Sequence, residues 1–337
     1  MSVVGVVYLF ALFGCTYPSG SELEPPSDVW RYSGVERIVA VSDIHGAFDP
    51  MVATFQAASV IDDNLSWVGG ETHLVIAGDI LDRGSESRRS MDLLMALEKQ
   101  AKLAGGKVHV LLGNHEVMNL IGDLRYVAKG EFSAFSEQER ATDRAHWYQH
   151  FVEREASRHG EEQMQQLFNA IAPPGFFGHR EAFRADGRYG KWLIHKPMLV
   201  VIGDTAFVHG GLPPLVTKYG LKKTNQSLHS DLHEFLAARF ALEQQEVISP
   251  IDEFRDLPEL LAEQLESDAL GEGVTDDAGT VIRLRDSPLN RSTGPLWYRG
   301  NASCNGEPMG EGEALDRALA VLGVSRVVIG HTTTASR

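Results

Sequence analysis

The sequence predicts an α/β fold, and three observations predict it. Short apolar runs, Ile38-Val39-Ala40-Val41, His73 to Ala77 and Lys107 to Leu112, alternate with segments of helical periodicity. Each run stops at glycine and at polar side chains able to bind a metal, the pattern of open α/β sheets, whose ligands gather at the carboxyl ends of strands. With 337 residues, 43% of them hydrophobic, the chain can bury a sizeable core in one large domain or two small ones.

At the N-terminus, Val3 to Gly14 is an apolar run too short for a spanning helix and closer to the hydrophobic part of an export signal. It ends in Leu12-Phe13-Gly14-Cys15, which is similar to a bacterial lipobox. The expectation is therefore a lipoprotein-type signal over 1–15, a tether over 16–34 rich in Pro, Ser and Gly, and a folded domain over 35–337. On this reading the protein is exported to the cell envelope or periplasm, with a membrane tether through lipid on Cys15. An ordinary apolar segment with a chance cysteine would instead leave it cytoplasmic. Met1-Ser2-Val3-Val4 lacks the Lys or Arg that opens such signals, so the expectation on this reading is a natural start upstream.

The first strand, Ile38 to Val41, runs into Ser42-Asp43-Ile44-His45-Gly46, where Asp43 and His45, two apart, can converge on one metal. Met51 to Val60 reads as a short helix and Ser66 to Glu71 as a loop. The next strand delivers Gly78-Asp79-Ile80-Leu81-Asp82-Arg83-Gly84, two carboxylates so close that a cation or positive partner is needed between them. Ser87 to Ala104 carries Met91, Leu94 and Leu97 on one face and stops at Gly105-Gly106, an amphipathic helix. Lys107 to Leu112 then ends in Gly113-Asn114-His115-Glu116.

Residues 131–172 turn charged and helical, an inserted cap with Trp147, Phe151, Met164 and Leu167 inward. After Pro173-Pro174-Gly175, Phe176 to Trp192 reads as a glycine-rich loop bordering a cleft, or as a solvated basic face of Arg180, Arg184, Arg188 and Lys191. Met198 to Ile202 and Thr205 to Val208, joined by Gly203-Asp204, predict a hairpin that ends in His209-Gly210-Gly211. Ser227 to Gln244 is helical. Residues 245–277, with eleven acidic residues and one arginine, read as a solvated insertion. Gly294 to Gly300 sets Arg299 beside two aromatics. Glu313 to Gly323 predicts a helix and Ser325 to Ile329 a final strand, ending in Gly330-His331; so short a tail after a sheet edge predicts further chain beyond Arg337.

The net charge of -15 argues against a nucleic-acid surface but leaves a phosphorylated substrate open, since metals and local arginines set the potential inside a cleft. Two cysteines offer neither a disulfide framework nor zinc-type spacing. The candidate ligands are Asp43, His45, Asp79, Asn114, His209 and His331, a mixed O/N set that suits Mn, Fe or Zn. The set serves two ions if Asp79 bridges them. Two such ions could share a hydroxide, lower its pKa and stabilise an in-line displacement at phosphorus. His115, oriented by Asp82, is the candidate general acid, and Arg83 and Arg299 the phosphate clamp.

In order and spacing, Asp43-x-His45-Gly46, Gly78-Asp79-x-x-Asp82-Arg83-Gly84, Gly113-Asn114-His115-Glu116, His209-Gly210-Gly211 and Gly330-His331 resemble the calcineurin-like metallophosphoesterases of the phosphoprotein phosphatase type. Lys196 to Leu212, the Gly-x-x-Gly-x-x-x-Ala-Phe run at 175–183 and Leu296 to Gly300 resemble its bacterial Shewanella-like branch. The resemblance implies a four-layer αββα sandwich. It also implies one metal on Asp43, His45 and Asp79, and a second on Asp79, Asn114, His209 and His331. The implied substrate is a phosphorylated protein, on Ser/Thr or Tyr, or a small phosphomonoester. Two competing functions remain at this point: hydrolysis of a dinucleoside polyphosphate or other phosphoanhydride, and a non-catalytic phosphopeptide-binding lipoprotein.

Overall fold

The computed structural model describes residues 30–155, 160–266, 271–302 and 312–333. Its strands are β1 (Arg31–Tyr32), β2 (Ile38–Val41), β3 (His73–Ile76), β4 (Lys107–Val110), β5 (Leu199–Ile202), β6 (Thr205–Val208) and β7 (Arg326–Val328). The helices are α1 (Phe48–Ala57), α2 (Ser87–Leu103), α3 (Asn114–Ile121), α4 (Lys129–Ser133), α5 (Ala141–Glu155) and α6 (Glu161–Ile171). They continue as α7 (Phe176–Phe183), α8 (Arg188–Leu193), α9 (Pro214–Gln244), α10 (Leu257–Glu266), α11 (Glu272–Arg285) and α12 (Gly312–Leu322).

The strands form two sheets. One, β2-β3-β4, is wholly parallel, with Ile38 opposite His73 and His73 opposite Lys107. The other runs β1-β5-β6-β7, with the β5–β6 hairpin its antiparallel pair. Alternation along each strand decides what each face covers. Leu74, Ile76, Val108 and Val110 pack with Met51 and Phe55 of α1 and Met91, Leu94 and Leu97 of α2, whereas Val75, with Leu111 just past β4, meets Val200, Ile202 and Phe207 of the opposite sheet. On the far side, Leu199, Val201, Ala206 and Val208 cover Val216 of α9 and Ala318 and Leu322 of α12. Helix, sheet, sheet, helix is the four-layer order. Truncating a fully buried side chain such as Leu94 to alanine would cost about 2–5 kcal/mol.

The cap over 131–172 is helical, built from α4, α5 and α6. Its core holds Phe132, Phe151, Met164 and Phe168, with Trp147 and Leu167 packed against it half-buried. It is joined to the body through Glu131, whose buried carboxylate accepts the Ser87 N–H at the start of α2, 3.0 Å away. That contact satisfies a helix-terminal donor and sets a negative charge at the positive end of α2.

Four expectations are corrected. The tether does not reach residue 34: Trp30 is buried between the sheets, and Arg31 and Tyr32 pair with Val201 and Ile202. Residues 176–192 are not a loop but two short helices, whose glycines serve packing; a Cβ on Gly190 would lie 1.7 Å from the Arg184 carbonyl oxygen. Nor do these residues make a uniformly solvated basic face, since Arg180 is buried and donates to the Asn119 carbonyl at 3.0 Å. Residues 245–277 are not a solvated insertion: Ile248, Phe254, Leu257 and Leu261 lie in the main core, among α9, α10 and α11. The expected signal over 1–15, with Cys15, lies outside the described residues. No helix among the described residues is long and apolar enough to cross a membrane.

Candidate metal centre

The loops after β2, β3 and β4 continue the parallel pairing past the strands. Asp43, His45 and Gly46 donate their N–H groups to the carbonyls of Gly78, Asp79 and Ile80 at 3.1, 3.0 and 2.8 Å. The second sheet closes the arrangement: His209 follows β6, and His331 follows β7 with its N–H on both Asp43 carboxylate oxygens at 3.0 and 3.1 Å. Backbones here approach closely. A Cβ on Gly78 would sit 2.6 Å from the Gly113 backbone, and one on Gly330 2.0 Å from Ser42 Oγ. Nine described non-glycine residues have positive φ, and six are candidate site residues: Asp43, His45, Asp79, Asp82, Arg83 and His331. Such left-handed backbone costs roughly 1–2 kcal/mol per residue, and its concentration here marks a functional constraint. It also revises why Asp43 and His45 converge: both are left-handed (φ 55 and 48), so a turn rather than an extended strand aims them.

Hydrogen bonds assign the ring nitrogens. His45 Nδ1 sits 2.8 Å from the Leu81 carbonyl and His209 Nδ1 2.8 Å from the Ala77 carbonyl, so each Nδ1 is the donor and, in the neutral ring, each Nε2 offers its lone pair. His209 Nε2 then meets two oxygens, Asn114 Oδ1 at 2.9 Å and Asp79 Oδ2 at 3.1 Å. His45 Nε2 lies 3.6 Å from Asp79 Oδ2 and 3.8 Å from Asp43 Oδ1, and the Nε2 atoms of His45 and His331 are buried without a hydrogen-bond partner. Lone pairs converging in this way fit cations. Two groups, His45-Asp79-His115 and Asp79-His209-His331, each have donor atoms within 4.8 Å of one another, and Asp79 is common to both.

Without an ion, Asp79 and His209 stabilise each other's charged forms: burial works to lower the His209 pKa, but the Asp79 charge and hydrogen bond raise it, so a cation at this site takes the place of the Nε2 proton. Burial works to raise the Asp79 pKa, but His209, by charge and hydrogen bond, and then His115 bring it down to about 2. Burial, with the charges of His209 and Arg299, takes His331 down to about 4, leaving a neutral imidazole at pH 7. His45 is lowered too, chiefly by burial.

His115 falls within the first of those groups but is held differently from the other members. Its Nδ1 lies 2.6 Å from Asp82 Oδ2, Asp82 Oδ1 accepts from Asn119 Nδ2 at 2.8 Å, and His115 Nε2 faces Asp79 Oδ2 at 3.8 Å. Burial alone would lower its pKa. The Asp82 hydrogen bond and the charges of Asp79, Asp82 and Glu116 outweigh burial and raise it. Arg83 is exposed, and its charge acts on His45. Arg299 donates from Nη1 to the His331 carbonyl at 2.8 Å and to Thr332 Oγ1 at 3.0 Å. The ten candidate residues are thus gathered around one centre.

Sequence reasoning missed two contributors. Glu116, quoted only as part of a motif, is fully buried, and its carboxylate accepts from the N–H groups of Gly113 (2.7 Å), Asp79 (2.8 Å), Ile80 (2.8 Å) and Leu81 (3.2 Å). It staples the β3 and β4 loops together. Burial and the Asp79 charge push its pKa up to about 7, against those donors. Both oxygens are filled by N–H groups, so no acceptor remains for an acid proton, and the contacts fit the carboxylate. Tyr126, whose ring centroid lies 5.2 Å from that of His115, is the other; no sequence pattern marks it.

The family model described as calcineurin-like phosphoesterase matches residues 36–334. The chain belongs to the calcineurin-like phosphoesterase family. Divalent metal ions are implied for such a metallophosphoesterase, and the donor set above fits them. Among relatives, this calcineurin-like chain is 33% identical over 222 residues to Shewanella-like protein phosphatase 2 of Arabidopsis thaliana, covering 63% of the chain and 55% of the relative. It is 28% identical over 189 residues to Shewanella-like protein phosphatase 1 of Plasmodium berghei, covering 56% and 42%. The chain thus spans about half the length of the curated relatives it matches. Of solved structures, the cold-active protein-tyrosine phosphatase of a psychrophile Shewanella sp. is similar with 27% identity and a TM-score of 0.57, over 93% of this chain and 70% of that one.

Proposed function

We propose that the chain is a two-metal phosphatase that hydrolyses phosphomonoesters carried on proteins, on Ser/Thr or Tyr. The observation that carries the reading is the position of Asp79, common to two groups of convergent donors, one of which includes His115, itself held by Asp82. Asp43, His45 and Asp79 would hold one ion, and Asp79, Asn114, His209 and His331 the other, with Mn, Fe or Zn suited to the donors. Bound there, two such ions would supply an activated water and positive charge against the phosphoryl oxygens.

The chain's own residues do the rest. The Asp82 hydrogen bond and the surrounding carboxylates favour the protonated form of His115, and Asp82, fixed by Asn119, holds Nδ1 so that Nε2 turns to the centre. From Nε2 the proton passes to the departing alkoxide or phenoxide oxygen. Arg83 and Arg299 bind non-bridging phosphate oxygens in forked geometry. The reading requires no covalent phosphoenzyme. A protein substrate is supported by what the similar proteins are named to act on, protein phosphatases in two relatives and a tyrosine phosphatase among the structures.

The test compares kcat/KM on a phosphotyrosine peptide, a phosphoserine peptide and diadenosine tetraphosphate. Preference for one of the peptides is expected, and clear preference for the dinucleotide would replace this reading with phosphoanhydride hydrolysis. Export and lipid anchoring through Cys15 form a separate part of the proposal. Membrane-fraction recovery of the wild type but not of Cys15→Ala is expected, and cytosolic recovery of both would end it.

A further inference from the structure

Away from the centre, one more cluster has the geometry of a coordination site. α5 carries His146 and His150 four residues apart on one helical face, their ring centroids 4.6 Å apart. Both turn to a single carboxylate from a distant element: His146 Nε2 lies 3.2 Å from Glu246 Oε1, and His150 Nε2 3.1 Å from Glu246 Oε2. The three donor atoms lie within 4.8 Å of one another. This cluster shares no residue with the Asp79 centre.

Glu246 occupies an unusual place. It follows the C-cap of α9 with φ 55, its N–H on the Glu243 carbonyl at 3.2 Å and the next N–H, of Val247, on the Leu242 carbonyl at 3.0 Å. At such a helix end the left-handed position normally falls to glycine, because a Cβ is strained there. Here the strained residue is the one whose side chain faces both imidazoles. Two imidazoles and one carboxylate make an N2O set that prefers zinc-class ions over Ca or Mg, and three protein ligands leave a position for water. The side chains are 46, 36 and 47% exposed for His146, His150 and Glu246, so a hydrated ion reaches them without opening the fold.

We propose that His146, His150 and Glu246 form a zinc-class divalent cation site that fastens α5 of the cap to the end of α9. The seam has room for such a fastening. Beside it lies a cleft of about 320 Å³ lined by Trp147, Phe151, Ile248 and Gln264, and the Arg154–Asp252 ion pair at 2.6 Å crosses the same seam. Without an ion, the carboxylate can accept one Nε2–H from each neutral imidazole. When zinc binds, each ring carries its proton on Nδ1 instead, so both Nε2 lone pairs and the carboxylate turn to the ion with no net loss of protons from the neutral rings.

Elemental analysis of the full chain, equilibrated with Zn2+ and desalted, tests this by total metal content. The wild type is expected to carry one equivalent more than His146→Ala/His150→Ala, whatever the loading of the Asp79 centre, and to gain thermal stability on zinc addition that the double variant lacks. Should that variant fail to fold, Glu246→Gln, which keeps both imidazoles, carries the same comparison. Equal metal content in wild type and folded variant would overturn the proposal, as would an extra equivalent acquired equally well from Mg2+.

Discussion

Replacing Glu116 by glutamine tests whether one buried carboxylate holds the loops that carry the site. In the wild type its two oxygens accept four N–H groups, those of Gly113, Asp79, Ile80 and Leu81. An amide keeps one oxygen and turns an NH2 toward the other two donors, so two charge-assisted bonds are lost. At roughly 1.5–3 kcal/mol each, the loss is about 3–6 kcal/mol, a large share of the ~5–15 kcal/mol that stabilises a typical fold. Asp79 depends on this contact twice, through its own N–H and through the turn at Ile80 and Leu81, so metal content should fall along with stability. Urea unfolding at pH 7.5 with elemental analysis of the folded fraction measures both. A midpoint change worth less than about 1 kcal/mol with full metal content would refute the reasoning. It would mean that Glu116 carries a proton in the native protein, a state its four donors disfavour.

The two acids of the β3 loop should separate by role: Asp79→Asn is expected to lose metal, whereas Asp82→Asn should keep it and lose roughly 10²–10⁴ in kcat through the misplaced His115 proton. Metal loss of equal size in both variants would remove the division. Arg299→Ala should lower kcat/KM by about ten- to hundredfold, as expected for a charge-assisted phosphate contact, with the change mainly in KM if Arg299 binds phosphate equally in ground and transition states. Acid sensitivity should come in part from His109. Burial, with the charges of His73 and Lys107, takes its pKa down to about 3 from an ordinary 6.5, and it lies 2.9 Å from His73. Between those values the unfolded chain binds the proton that the native one refuses, so stability rises with pH across the window and is lost as pH falls through it. Unfolding free energies of the wild type should therefore slope more steeply than those of His109→Gln, by up to about 1.4 kcal/mol per pH unit, and parallel profiles would contradict the assignment.

The strand ends were legible because their chemistry is local. An apolar run followed by Gly-Asp-x-x-Asp-Arg-Gly or Gly-Asn-His-Glu needs no partner to be recognised, and the β5–β6 hairpin and the apolar face of α2 are equally short-range signals. The division of strands between two sheets was not legible, because alternation along β3 tells that Val75 and Leu74 face opposite ways but not what each meets. Charge density hid Ile248, Phe254, Leu257 and Leu261 in the core, and glycine density hid α7 and α8. Arg180 looked like surface and is buried at the end of α3, satisfying the Asn119 carbonyl. Glu116 was visible as a letter but not as a staple, since its role exists only once the β3 and β4 loops are adjacent. The left-handed Asp43, His45 and Asp79 were unreadable for a related reason: only glycine announces positive φ in a sequence.

The central claim, a phosphatase centre built on two ions that share Asp79, is tested most directly by counting metal and activity together. Protein stripped with chelator and then titrated with Mn2+ should regain phosphatase activity only as the content approaches two ions at the Asp79 centre, with His146→Ala/His150→Ala used to keep the count to that centre. Full activity in metal-free protein, or a plateau reached at a single equivalent, would contradict it.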